Sequence, residues 1–74
     1  MVNKMNKTLT NEEKADTFFR ARFSHNFDSE GNLYPYAKYY YQEWIDRFNS
    51  GKPELYMDSK SLEVYNNLKE KYGW

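Results

Sequence analysis

The one histidine, His25, follows Ser24 and precedes Asp28 and Glu30, so a nucleophile, a base and two carboxylates fall within a few residues. Adjacent side chains rarely face each other, so Ser24 and His25 do not make a nucleophile–base pair. A single histidine in a chain without cysteine also lacks the ligands for a tetrahedral metal site. The same stretch half resembles a calcium loop: with Asn26 at position one, Asp28 and Glu30 take ligand positions and Gly31 the sharp turn. Ala37 then occupies position twelve, where a bidentate Glu is required, and Pro35 intrudes. A turn is therefore expected, with His25 exposed or capping. The pairs Glu12/Asp16 and Glu43/Asp46 stand at helical spacing beside Lys and Arg, the pattern of solvated helix faces. A chain this short does not readily form a deep cleft. The expectation is a protein that is not an enzyme and carries neither metal nor cofactor.

The clearest periodicity runs from Tyr34 to Asn49. Ala37, Tyr40, Tyr41, Trp44, Ile45 and Phe48 follow the i, i+3, i+4, i+7, i+8, i+11 spacing of one apolar helical stripe. Pro35 suits its first turn and Gly51 its left-handed cap, which predicts a helix over 35–49. Gln42, Ile45 and Phe48 also match the Q-x-x-I-x-x-F peptide by which partners plug into eukaryotic sliding clamps. Asn49 stands where that peptide has a second aromatic, and Ile45 and Phe48 lie on the stripe, so both are read as core.

Upstream, Thr10 and Glu13 have capping-box spacing and predict a helix over 11–23, with Ala15, Phe18, Phe19, Arg22 and Phe23 sharing a face. Turn-forming residues over 26–34 predict a short hairpin or compact loop, with positive φ at Gly31-Asn32. Residues 54–57 are read as a short extended piece after Pro53. Asp58 or Ser59 caps a last helix over 59–72, with Leu62, Tyr65, Leu68 and Tyr72 as its apolar face and Gly73 as its stop. The fold class is mainly α: three helices around a long central aromatic helix, with α+β as the alternative if the hairpin and extended piece form strands. Residues 1–9 are read as a flexible N-terminal tail and 10–74 as one domain.

Composition supplies the means to fold. Eight Tyr, five Phe and two Trp make the chain 20% aromatic, and each ring offers a large apolar area to a domain that buries only about 60% of its unfolded surface. The absence of cysteine fits a reducing interior. No apolar run approaches the roughly 20 residues of a membrane span, so the expected location is the cytoplasm. The formal net charge is zero, which argues against sequence-independent nucleic-acid binding. Residues 26–58 nevertheless carry three Lys/Arg against six Asp/Glu, so the long helix lies in an acidic segment.

At 100° per residue, Tyr36 and Tyr39 fall off the stripe, on the outer face and flank that carry Glu43, Asp46 and Arg47. Clustered aromatics on a small domain suggest an interface, and these five residues are the candidate partner-binding surface. In length, neutrality, tyrosine content and lack of a catalytic constellation, the chain resembles small phage-encoded host-takeover inhibitors, among them inhibitors of the bacterial sliding clamp. That resemblance implies a homodimer that blocks host DNA replication by occupying the clamp's basic DNA channel, without binding nucleic acid directly. The alternative is a small nucleic-acid-binding regulator using Lys4, Lys7, Lys14, Arg20, Arg22 and exposed aromatics.

Overall fold

The computed structural model describes residues 9–74. The predicted tail, with Lys4 and Lys7, thus falls outside the described residues except for Leu9, which is half-buried. Helix α1 spans Asn11–Arg22, α2 Lys38–Asn49 and α3 Ser59–Tyr72. Short 3-10 turns at Ser24–Asn26, Pro35–Ala37 and Pro53–Tyr56 join them.

Each α-helix begins or ends on chemistry visible in the sequence. The Thr10 amide donates to Glu13 Oε1 at 2.9 Å, and the Glu13 amide donates to Thr10 Oγ1 at 3.1 Å, the reciprocal bonds of a capping box worth about 1 kcal/mol. Asp58 starts α3 by accepting from the Ser61 amide at 2.9 Å. Gly51 and Gly73 follow α2 and α3 with φ of 88° and 72°. Pro35 opens a 3-10 turn that runs directly into α2.

The core is aromatic, and its centre is α1. Ala15, Phe18 and Phe19 are fully buried, each Phe contributing about 1.5–3 kcal/mol by burial. Phe18 meets the rings of Phe23, Trp44, Phe48 and Tyr65. Phe19 meets those of Phe23, Phe27, Tyr40 and Tyr41. The predicted stripe on α2 supplies Ala37, Trp44, Ile45 and Phe48 as buried residues, while Tyr41 packs at the margin. Tyr40 lies against Phe19 and Phe23 yet stays 37% exposed. Burial of Ile45 and Phe48 assigns the clamp-peptide spacing to the core. The fold is mainly α with three helices, and α1 is the one that both of the others pack against.

Two expectations need correction, and a third takes its simpler form. Residues 54–57 are not extended: Pro53–Tyr56 is a 3-10 turn, with the Leu55 amide donating to the Lys52 carbonyl at 3.2 Å and Met57 to Glu54 at 3.3 Å. Pro53 is buried and anchors this turn, leaving Leu55 and Tyr56 outward. The hairpin or compact loop expected over 26–34 is a loop with one antiparallel bridge, Phe27 to Leu33, closed by Gly31 at the expected positive φ, 85°, a conformation that a Cβ would strain. Of the predicted α3 face, Tyr65 and Leu68 reach the core but Tyr72 does not. Ser61 is buried and Val64, Tyr65 and Leu68 pack on the core, whereas Tyr72 is 52% exposed. The cause is polar: Arg22 Nε donates to Ser61 Oγ at 3.0 Å and its Nη2 lies 3.6 Å from Asp58 Oδ2, turning the serine toward α1.

Candidate functional site

Tyr36 and Tyr39 are 73% and 81% exposed, the barest rings among the described residues. Tyr36 stacks on Tyr34 at 5.5 Å and 16° between planes. Tyr34 is itself pinned at both backbone atoms: its amide donates to the Asn26 carbonyl at 2.9 Å and its carbonyl accepts from the Ala37 amide at 3.0 Å. The exposed pair is therefore mounted on an ordered turn. Tyr39 sits one turn further on, at the start of α2.

Of the five predicted residues, Tyr36 lies in the Pro35–Ala37 turn, and helix α2 divides the other four between two edges. On one edge Glu43 Oε1 lies 3.6 Å from Arg47 Nη2. The Arg47 guanidinium lies over the Trp44 ring at 4.7 Å and over Tyr56 at 4.8 Å, so it is held between two rings and fastens the Pro53–Tyr56 turn to α2. On the other edge Asp46 accepts from Gln42 Nε2 at 3.2 Å, with Lys38 one further turn back on the same i, i+4 row. Tyr39 heads the Glu43–Arg47 row at the same i, i+4 spacing. The Glu43–Arg47 pair leaves Asp46 as the carboxylate of this face without a cationic partner among the described residues. Sequence reasoning missed Tyr34, Tyr56 and the exposed Leu55. The first was hidden by the turn, and the others by the extended reading of 54–57.

Buttressing sits behind this face. Asp16 on α1 accepts from Arg20 Nε at 3.1 and 3.0 Å and from the Tyr41 hydroxyl at 2.6 Å. Burial, reinforced by the Asp16 carboxylate, pushes the Tyr41 phenol up to about 12. Asp28 Oδ1 accepts from the amides of Glu30 and Asn32, each at 2.9 Å, and these bonds hold its carboxyl below the usual range, the Asn32 amide foremost. That carboxylate closes a turn, in keeping with the turn reading of the half-matched calcium loop. Among the described residues no group of three or more His, Asp or Glu side chains could hold a metal ion. His25 is exposed.

An open groove of about 410 Å³ lies along α1, lined by Leu9, Glu12, Glu13, Asp16, Thr17 and Tyr41. Its polar groups already serve the fold: Glu13 closes the capping box, the Thr17 hydroxyl donates to the Glu13 carbonyl at 3.0 Å, and Asp16 holds Arg20 and Tyr41. Among the described residues no helix is long and apolar enough to cross a membrane.

Comparison of the chain with protein-family models, with curated proteins and with solved structures finds no match. The site's own residues therefore carry the functional reading.

Proposed function

We propose that the chain is a non-enzymatic binding protein that inhibits DNA replication in a host cell by occupying a DNA-binding surface, the channel of a sliding clamp. The carrying observation is the pair of bare rings at Tyr36 and Tyr39, 73% and 81% exposed, on a domain whose other aromatics largely fill its core. Rigid tyrosines at an interface act as anchors, with truncation costs that reach about 2 kcal/mol or more. The surrounding 26–58 segment carries six acids against three bases, which suits a partner face built to hold phosphates and steers encounter with it. The class of partner comes from the resemblance to phage-encoded inhibitors. Tyr36, Tyr39, Glu43 and Arg47, with Tyr34 and Tyr56, form the docking edge.

The opposite edge of α2 suits a second copy of the chain. Lys38, Gln42 and Asp46 form a row about 12 Å long that is cationic at one end and anionic at the other. Two such rows packed antiparallel oppose Lys38 of one copy to Asp46 of the other, twice, about a twofold axis at Gln42. The proposed active form is this homodimer.

The nucleic-acid alternative finds less support among the described cations. Arg20 is bonded to Asp16 and to the Gly31 carbonyl, Arg22 to Ser61, and Lys14 lies over Trp74 at 5.8 Å. The purified protein is expected to bind a bacterial sliding clamp and block its loading in a reconstituted replication assay, and to leave duplex and single-stranded DNA unshifted in a gel. Direct DNA binding that weakens steeply with salt would replace this reading with the alternative.

A further inference from the structure

Arg20 belongs to α1, about half exposed, and its guanidinium joins that helix to the 26–34 loop. Nε donates to both oxygens of Asp16 on its own helix at 3.1 and 3.0 Å. Nη1 donates to the Gly31 carbonyl at the tip of the 26–34 loop at 3.0 Å. The flat of the group lies 4.5 Å above the Phe27 ring, at the base of that loop. Asp16 in turn receives the hydroxyl of Tyr41 from α2. A continuous polar relay, Tyr41–Asp16–Arg20–Gly31, thus joins α2 to the loop through α1. The loop ends in Tyr34, whose ring stacks on Tyr36. Few apolar contacts tie the loop down, since its ladder is a single bridge and Leu33 and Phe27 are only partly buried. Its remaining order comes from hydrogen bonds: the Asp28 carboxylate accepts from the Glu30 and Asn32 amides, the Asp28 amide donates to the Asn32 carbonyl at 2.9 Å, the Gly31 amide to the Asp28 carbonyl at 3.0 Å, and the Tyr34 amide to the Asn26 carbonyl at 2.9 Å.

We propose that Arg20 is a positioning residue for the docking edge: its planar fork, gripping Asp16 and Gly31 at once while stacked on Phe27, fixes the loop so that Tyr34 and Tyr36 are presented as one stacked anchor. Only arginine has donors in a rigid plane that can face two acceptors while a third contact covers the plane; a lysine offers a point charge on a flexible stem. A partner meeting the preset pair is spared the cost of ordering it. The proposal rests on the reading of this face as an interface, and its first measurement needs no partner.

The test is amide exchange and ring-proton NMR on wild type, Arg20→Ala and Arg20→Lys. Arg20→Ala is expected to speed exchange of the Asn32 and Tyr34 amides by about tenfold, the signature of local opening, and to erase the upfield ring shifts of the Tyr34–Tyr36 stack. The amides of Ile45 and Phe48 should keep their protection, which shows that the fold survives. Arg20→Lys should behave as Arg20→Ala does at the loop. Tyr41→Phe, which releases one end of the relay, should shift the same signals part of the way. Unchanged exchange at Tyr34 in Arg20→Ala would overturn the proposal, and so would wild-type behaviour in Arg20→Lys, because a point charge would then suffice. In a second measurement, with purified bacterial sliding clamp as the probe, Arg20→Ala should weaken binding by about tenfold through faster dissociation. If wild type does not bind the clamp, the functional reading fails and the exchange data still decide the role of Arg20. If wild type binds and Arg20→Ala binds equally well, the positioning role is refuted.

Discussion

At the scale of single residues, exposure separates structure from interface along one helix. Trp44 is 3% exposed, within van der Waals reach of Phe18 and Phe48, and Tyr39, five positions earlier, is 81% exposed. Trp44→Ala should therefore cost about 3–5 kcal/mol in denaturant titrations, by lost transfer and cavity terms. Tyr39→Ala should stay within about 0.5 kcal/mol, and the reverse ranking would contradict the packing. Trp44 Nε1 is buried without an acceptor among the described residues, which carries a desolvation cost. Tyr41 supplies a titration with a defined sign. Its folded pKa is raised from 10.0 to about 12, so above pH 10 the unfolded chain loses the proton while the folded one keeps it. The bond to Asp16 then contributes fully below pH 10, and its contribution is lost as pH rises toward 12. Thermal melts across that window should fall for wild type, and less steeply for Tyr41→Phe.

Among the elements, α3 is held least by burial, with Ser61 its only fully buried residue, and most by its beginning. Asp58 caps it, and Arg22 grips both Asp58 and Ser61. Asp58→Ala should lower stability by about 0.5–2 kcal/mol, and α3 amides should exchange faster than those of α1. The Asp58 carboxyl is held below its usual value, chiefly by the Ser61 amide, as Asp28 is by Asn32. A depressed carboxylate contributes stability above the unfolded value near 3.8, and that contribution is lost as pH falls through the folded value. Melting temperature should accordingly drop on acidification below about pH 4, and Asp58→Asn, which keeps a capping side chain without the titration, should flatten that limb. The helices were legible because their signals are local: the Thr10–Glu13 box, the α2 stripe, Gly51 and Gly73. The α3 face was legible only in part: Tyr65 and Leu68 belong to both the predicted and the observed stripe, whereas Ser61 and Val64 stand where Leu62 and Tyr72 were expected. The choice depended on Arg22, 39 positions from Ser61. The turn at Pro53–Tyr56 was misread for the same reason, since its outer ring is placed by Arg47 from another element. Of the candidate face, the bare rings could be found by helical phase alone, whereas the split of Asp46 from Glu43 and Arg47 needed side-chain contacts.

For the whole molecule, the proposed homodimer makes a quantitative demand on α2. Light scattering at micromolar concentration should give roughly twice the 9.1 kDa chain mass. Lys38→Glu places two carboxylates opposite each other twice, and Asp46→Lys opposes two ammoniums, so each variant alone should be monomeric. A one-to-one mixture of the two should recover the dimer, because every contact across the twofold is again between opposite charges; a mixture that stays monomeric would rule out this seam. The proposed docking to a clamp is a separate event on the other edge, and the chain carries a means of watching for it. The Arg47 cation lies directly over Trp44, close enough to tune the emission of an indole that water does not reach. A partner that draws the guanidinium aside changes that emission without contacting the indole. With Trp74→Phe removing the second of the two tryptophans, the fluorescence of Trp44 becomes an intrinsic optical gauge of occupancy on that edge, readable without a label.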